Sequence, residues 1–205
     1  MPTKRSFLHL HGVSRAASLD ALDAVMQELG YGRDIAYVLG HLGPRDMMDF
    51  EVMVRKQPLY LISDGLEEWV AVIPAHVEGK VAAPDPSEIA RLLSGLLECP
   101  ALLLRVGEEK FGFQVFQLGS RLGGPTEEGA LGALTPYLPN GVPRERLQEA
   151  LLPESSPNEL RRLVAFASLL KLDGRPEYGL ADWETSKSVP WTRFYASSYF
   201  ALRKK

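Results

Sequence analysis

Hydrophobic and polar positions are most regular between residues 69 and 118. WVAVIPA from Trp69 reads as a strand, PSEIARLLSGLLE from Pro86 as an amphipathic helix, PALLLRV from Pro100 as a second strand and FGFQVFQL from Phe111 as a third. Within the helix, Ile89, Leu92, Leu93, Leu96 and Leu97 recur at helical spacing, which puts them on one stripe to be covered by a sheet. In the last strand Phe111, Phe113 and Val115 share one face, and Gly112, Gln114, Phe116 and Leu118 the other. The turn Gly107–Lys110, GEEK, predicts a tight hairpin.

The helix boundaries follow from local chemistry. Asp85 can accept from the first free N–H groups, Pro86 sits where a missing N–H is harmless, and Glu88 completes a capping box. Pro100 ends the helical run.

A looser version of the same order precedes it. SFLHLHGV is a strand, and Ser18–Leu29 a helix with Leu19, Leu22, Val25, Met26 and Leu29 along one side, stopped by Gly30. Extended segments are expected at Ile35–Leu39, Asp49–Arg55 and Leu59–Ile62. A duplicated β-α-β-β unit, residues 1–66 and 67–122, accounts for this order.

Beyond the sheet the composition changes. Gly119–Gly132 is rich in glycine and reads as a linker or exposed loop. A short helix opened by Pro143 carries Leu147, Leu151 and Leu152. Ser156, Pro157 and Glu159 then start a longer helix with Leu160, Leu163, Val164, Ala167 and Leu170 on one stripe, ending near Asp173 and Gly174. The expected fold is therefore α+β: a mixed, largely antiparallel sheet domain over residues 1–122, and a helical region over 123–205 packed upon it.

The last segment is the oddest. From Lys187 to Lys205 there are five basic residues, no acidic one and five aromatics: Trp191, Phe194, Tyr195, Tyr199 and Phe200. Such a segment can bind a polyanion or rest on an anionic membrane, or its rings can dock into the core. Docking is the expected state, with Trp191, Phe194, Tyr195 and Tyr199 as the candidate binding residues. Helical spacing fits Trp191, Phe194, Tyr195 and Ser198; strand spacing fits Trp191, Arg193, Tyr195 and Tyr199.

Composition narrows the function classes. With 205 residues, 45% hydrophobic and 24% charged, the chain has ordinary globular usage. A net charge of −3 argues against a dedicated nucleic-acid binder. A lone cysteine, Cys99, forms no intrachain disulfide, which suits a reducing cytoplasm. The N-terminal apolar run is too short and too polar for a signal peptide, and no apolar window is long enough for a membrane helix.

Catalytic patterns are absent from the sequence. There is no G-x-S-x-G elbow, no P-loop and no G-x-G-x-x-G, and Cys99 closes an apolar helix where a thiol is inert. His9 and His11 project from one face of a strand, as metal ligands can, with His41, His76, Asp46, Asp49 and Glu51 as further donors, but no HExxH, CxxC or acidic loop accompanies them. The alternative to metal is that both histidines lie on the polar face of an edge strand. No cofactor is expected.

EEWVAVIP, SEIARLLSGLL and PALLLRVGEEKFGFQVFQLGSRLG together resemble a family of soluble bacterial α+β proteins of unknown function, over about residues 67 to 200. The resemblance implies a cytoplasmic bacterial protein, and no catalytic residue comes with it. The function expected is a non-enzymatic interaction or regulatory protein, adaptor- or immunity-like, that binds a protein partner through a sheet edge or an aromatic groove. The alternative is an enzyme or metal protein with a site assembled from the scattered His and Asp/Glu residues.

Overall fold

A computed structural model describes residues 5–38, 55–64, 68–76, 81–106, 111–124, 128–152, 159–172 and 194–202. Its framework is one antiparallel sheet of eight strands in the order β2-β8-β3-β4-β1-β5-β6-β7. The strands are β1 Arg5–His11, β2 Tyr31–Val38, β3 Leu59–Ser63, β4 Trp69–Pro74, β5 Ala101–Val106, β6 Phe111–Gln117, β7 Ser120–Gly123 and β8 Phe194–Ala201. The fold is α+β, as expected, and every strand pair among the described residues is antiparallel.

Helices cover both faces. On one lie α1 (Arg15–Glu28) and α2 (Pro86–Leu96); on the other lie α3 (Glu128–Leu134), α4 (Arg144–Leu151) and α5 (Glu159–Leu169). Strand alternation divides the core accordingly. Leu8, Leu10, Tyr60, Ile62, Val70, Val72, Leu103 and Phe116 pack under α1 and α2, with Leu22, Val25, Met26 and Leu93 from the helices. Phe7, Leu61, Trp69, Ile73, Leu102, Leu104, Phe113 and Val115 pack under the other three, with Leu131, Leu134, Leu147, Leu163 and Phe166. The faces foreseen for Phe113, Val115 and Phe116 are those observed. No helix among the described residues is long and apolar enough to cross a membrane.

Caps explain the helix starts. Asp85 accepts from the Ser87 N–H at 2.7 Å, and its carboxylate also takes Arg105 Nη2 at 2.6 Å. The Ser87 N–H and the neighbouring Arg105 hold the Asp85 carboxyl below its ordinary pKa, against the opposing effect of burial. At α1 the cap is Ser14, accepting from Ala17 N–H at 3.2 Å, so the helix starts earlier than the Ser18 foreseen.

Several expectations are corrected. The buried stripe of α2 is Ile89, Ala90, Leu93 and Ser94, whereas Leu96 is 56% exposed. The cause is a close approach on the helix's other flank: a Cβ on Gly95 would meet Gly119 Cα at 3.3 Å. Buried Ser94 fixes that contact by donating to the Cys99 carbonyl at 2.8 Å and accepting from Gly119 N–H at 3.5 Å. Gly119–Gly132 is not a linker, because it holds β7 and most of α3. Leu118 and Gly119, both at positive φ, make the two-residue turn into β7. In α4 Leu147 is buried but Leu152, just past its end, is 46% exposed. Residues Asp49–Val54 of the expected Asp49–Arg55 segment, Leu39 and the GEEK turn lie outside the described residues.

Strands from before and after residue 66 interleave, since β1 lies between β4 and β5. The last strand also goes inside the sheet: β8 pairs with β2 on one side and β3 on the other.

Candidate aromatic recognition site

The C-terminal segment is a strand over Phe194–Ala201 and not a helix. Tyr195 and Tyr199 point toward α1, as strand spacing requires. Tyr199 is fully buried and its hydroxyl donates to Asp23 at 2.7 Å; Asp23 in turn pairs with Arg33 at 2.7 Å. Burial pushes the Tyr199 phenol far above its ordinary pKa. This network fastens β8 to α1 and β2, so Tyr199 is a structural anchor with no surface to offer. Phe200, on the opposite face, is 44% exposed and lies over Gly32, whose notional Cβ would meet its ring at 2.8 Å. The aromatic ring thus shields a glycine in an edge strand. Trp191 is outside the described residues, and of Phe194 only the backbone is described.

Both sheet edges are blunted. β7 is four residues long with a register shift against β6, and β2 shifts register between Arg33 and Ala36 beside the charged Arg33 and Asp34. Short, bulged, charged edges resist strand addition.

The histidines part company. β1 is a central strand, which corrects the edge-strand expectation, and His9 is fully buried within it. Its neighbours across the sheet are Ala71 and Leu102. His76 is buried beside Tyr60, with Nδ1 3.3 Å from the Leu59 amide nitrogen, and burial lowers its pKa. His41, Asp46, Asp49 and Glu51 lie outside the described residues. Among the described residues no three His, Cys, Asp or Glu side chains gather as a metal site would need. Cys99 is buried and its thiol is pushed up to about 11, which suits the inert role expected.

His11 is different. It ends β1 where β4 begins, directly opposite Trp69. Its ring centroid is 4.8 Å from that of Trp69 and 4.4 Å from that of Tyr137, and the Trp69 and Tyr137 centroids are 5.6 Å apart. Tyr137 comes from a single 3-10 turn, Thr135–Tyr137, that follows α3 directly. Glu68 completes the corner, with Oε2 3.3 Å from His11 Nε2. The backbone braces it: His11 N–H donates to the Pro100 carbonyl at 3.0 Å and Gly12 N–H to the Glu68 carbonyl at 2.9 Å.

The corner grades from buried to open. Trp69 is 1% exposed and forms the back wall, the His11 side chain is 22% exposed, and the Glu68 side chain is 80% exposed. The Trp69 indole N–H is buried and finds no acceptor among the described residues, an uncommon state for such a donor. Burial raises the Tyr137 pKa, so its phenol is neutral. Three packed rings with an open carboxylate at the rim can hold a planar or cationic group, and they lack a nucleophile. Sequence reasoning singled out only His11. Trp69, Tyr137 and Glu68 carry no local motif, because Glu68 and Trp69 at the start of β4 meet Tyr137 of the remote 3-10 turn only in the folded chain.

No family model, no curated protein and no solved structure matches this chain.

Proposed function

We propose that this chain is a non-enzymatic interaction or regulatory protein of the bacterial cytoplasm, adaptor- or immunity-like, that engages a protein partner at the His11–Trp69–Tyr137–Glu68 corner. The observation that carries this reading is the meeting of three aromatic rings and an exposed carboxylate at one end of the central strands. Interface energy concentrates in such rigid aromatic anchors with a polar rim. The Phe200 surface is a weaker candidate, since its ring is occupied in covering Gly32. The reading predicts a stoichiometric partner in affinity purification from the native host, kept by Leu152→Ala and lost from Glu68→Lys, whose substituted side chain is too exposed to disturb folding. Retention of the same partner by Glu68→Lys and Tyr137→Leu alike contradicts it.

The second reading, an enzyme or metal protein built on scattered residues, is favoured by one observation, the His11–Glu68 contact. About one zinc per purified chain, lost in a His9→Ala and His11→Ala double variant, is the result that reading requires.

A further inference from the structure

The pairing of β3 with β4 ends on a titratable side chain. Its regular rungs run inward from Tyr60↔Pro74 through Leu61↔Ile73 to Ile62↔Val72. One rung lies outside them. There the Leu59 carbonyl accepts from the Ala75 N–H at 2.8 Å, while the Leu59 N–H donates to His76 Nδ1 at 3.3 Å. An imidazole thus stands in for the backbone carbonyl that a strand partner ordinarily supplies. Leu59 is fully buried and His76 is 7% exposed, so water has little access to this bond.

Acceptance at Nδ1 requires the neutral ring with its proton on Nε2. The same nitrogen is 3.2 Å from the Leu59 carbonyl oxygen. A proton added at Nδ1 turns the acceptor into a donor. The Leu59 N–H is then left buried without an acceptor, and the new N–H competes with Ala75 for one carbonyl. Burial disfavours the charged ring and lowers the His76 pKa, against the smaller opposing effect of its bond to Leu59. Around the ring, Tyr60 meets it edge-on at 5.5 Å and Tyr199 of β8 lies 6.0 Å beyond Tyr60. The Tyr199 hydroxyl already holds Asp23, which pairs with Arg33. Among the described residues, the polar contacts of His76 are both with Leu59; Glu78 and Lys80, which follow in the chain, lie outside them.

We propose that His76 is a proton-operated latch on the outer rung of β3 and β4: the neutral ring holds Leu59 in the sheet, and protonation releases it while the inner rungs stay paired. Three strands meet at the latch, because the Tyr199 N–H of β8 donates to the carbonyl of Pro58, just before Leu59, at 2.9 Å. Release loosens the entry to β3 and this outer contact of β8 ahead of global unfolding. The sign follows from linkage. An opened rung hydrates the ring, which then binds its proton with the ordinary pKa of 6.5, whereas the closed rung binds it less readily. Opening is therefore favoured as pH falls below about 6.5.

Amide hydrogen exchange of the full chain, read by NMR at Leu59 and Leu61 between about pH 7.5 and about pH 5, tests this. Leu61, two residues further along the same strand pair, is the internal reference. The protection factor of Leu59 should fall at least fivefold relative to that of Leu61 on acidification, in step with the ring titration of His76. In His76→Asn, whose amide oxygen can occupy the place of Nδ1 and does not take up a proton in this range, the ratio should stay constant. A wild-type ratio that does not change with pH overturns the latch, as does an equal fall in His76→Asn. If His76→Asn does not fold, the wild type decides alone: a Leu59 midpoint that departs from that of the His76 ring, or loss of protection at Leu59 and Leu61 by the same factor, overturns it.

Discussion

The two faces of the sheet are built to the same plan and finished differently. Under α1 and α2, polar groups are satisfied close at hand: Ser94 by the Cys99 carbonyl, Tyr199 by Asp23, Asp85 by Ser87 and Arg105. On the face toward α3, α4 and α5, the central strands end in His11 and Trp69, with an indole donor that has no acceptor among the described residues and a carboxylate open to solvent. On the α1 and α2 face Arg105 Nε is also buried with no partner among the described residues, but the polar groups there are turned inward and offer a partner little. The other face opens the Glu68 carboxylate to solvent at its rim, which is where recognition is expected.

Removing what the two faces share should have the largest effect. Deletion of residues 194–205 takes away β8, which stands between β2 and β3 and carries fully buried Tyr199. Loss of an inner strand exceeds the roughly 5–15 kcal/mol stability of a domain, so the truncated chain should aggregate or be degraded by limited proteolysis. A truncated chain melting at the wild-type temperature would show that both faces stand without it.

The first face is broken singly by Leu93→Asp, which buries an unpaired charge at a fully buried position and should cost several kcal/mol. Leu96→Asp, three residues along the same helix and 56% exposed, should shift stability by less than about 0.5 kcal/mol. Equal losses in denaturant melts would mean that the helix face is misassigned. The second face is broken by Phe166→Ala. Phe166 is fully buried and stacks on Phe113 at 5.2 Å, and its truncation should cost about 3–5 kcal/mol.

The smallest effect is a pH dependence on the first face. Burial lowers the His76 pKa below its ordinary 6.5, so the folded chain binds this proton less readily than the unfolded chain. Stability from this group is therefore complete above about pH 6.5 and lost as pH falls through the lowered folded value. Melting temperatures across that range should fall more steeply in the wild type than in His76→Gln. Parallel profiles would remove His76 from the account.

The contrast between the faces also explains what the sequence disclosed. Residues 86–117 were legible because cap, stripe and strand alternation are local: Asp85, Ile89, Leu93 and Phe113 act within their own segments. Leu96 misled because a helical stripe wider than the sheet contact looks the same in sequence as one fully covered, and only the Gly95–Gly119 approach sets the rotation. β8 left helix and strand open, since its partners β2 and β3 are remote in the chain. His9 looked like a surface residue because a central position for β1 follows from pairing with β4 and β5, which no pattern within SFLHLHGV encodes. The corner was the least legible feature, for a ring cluster drawn from β1, β4 and the 3-10 turn exists only after folding.

The most direct test of the corner as the partner-binding surface is site-specific photo-crosslinking in the native host, with a photoreactive amino acid at position 137 or, for comparison, at exposed position 152. One discrete protein adduct is expected from position 137, absent from 152 and suppressed by Glu68→Lys. A discrete adduct from 152 with none from 137, or one from 137 indifferent to Glu68→Lys, would contradict it.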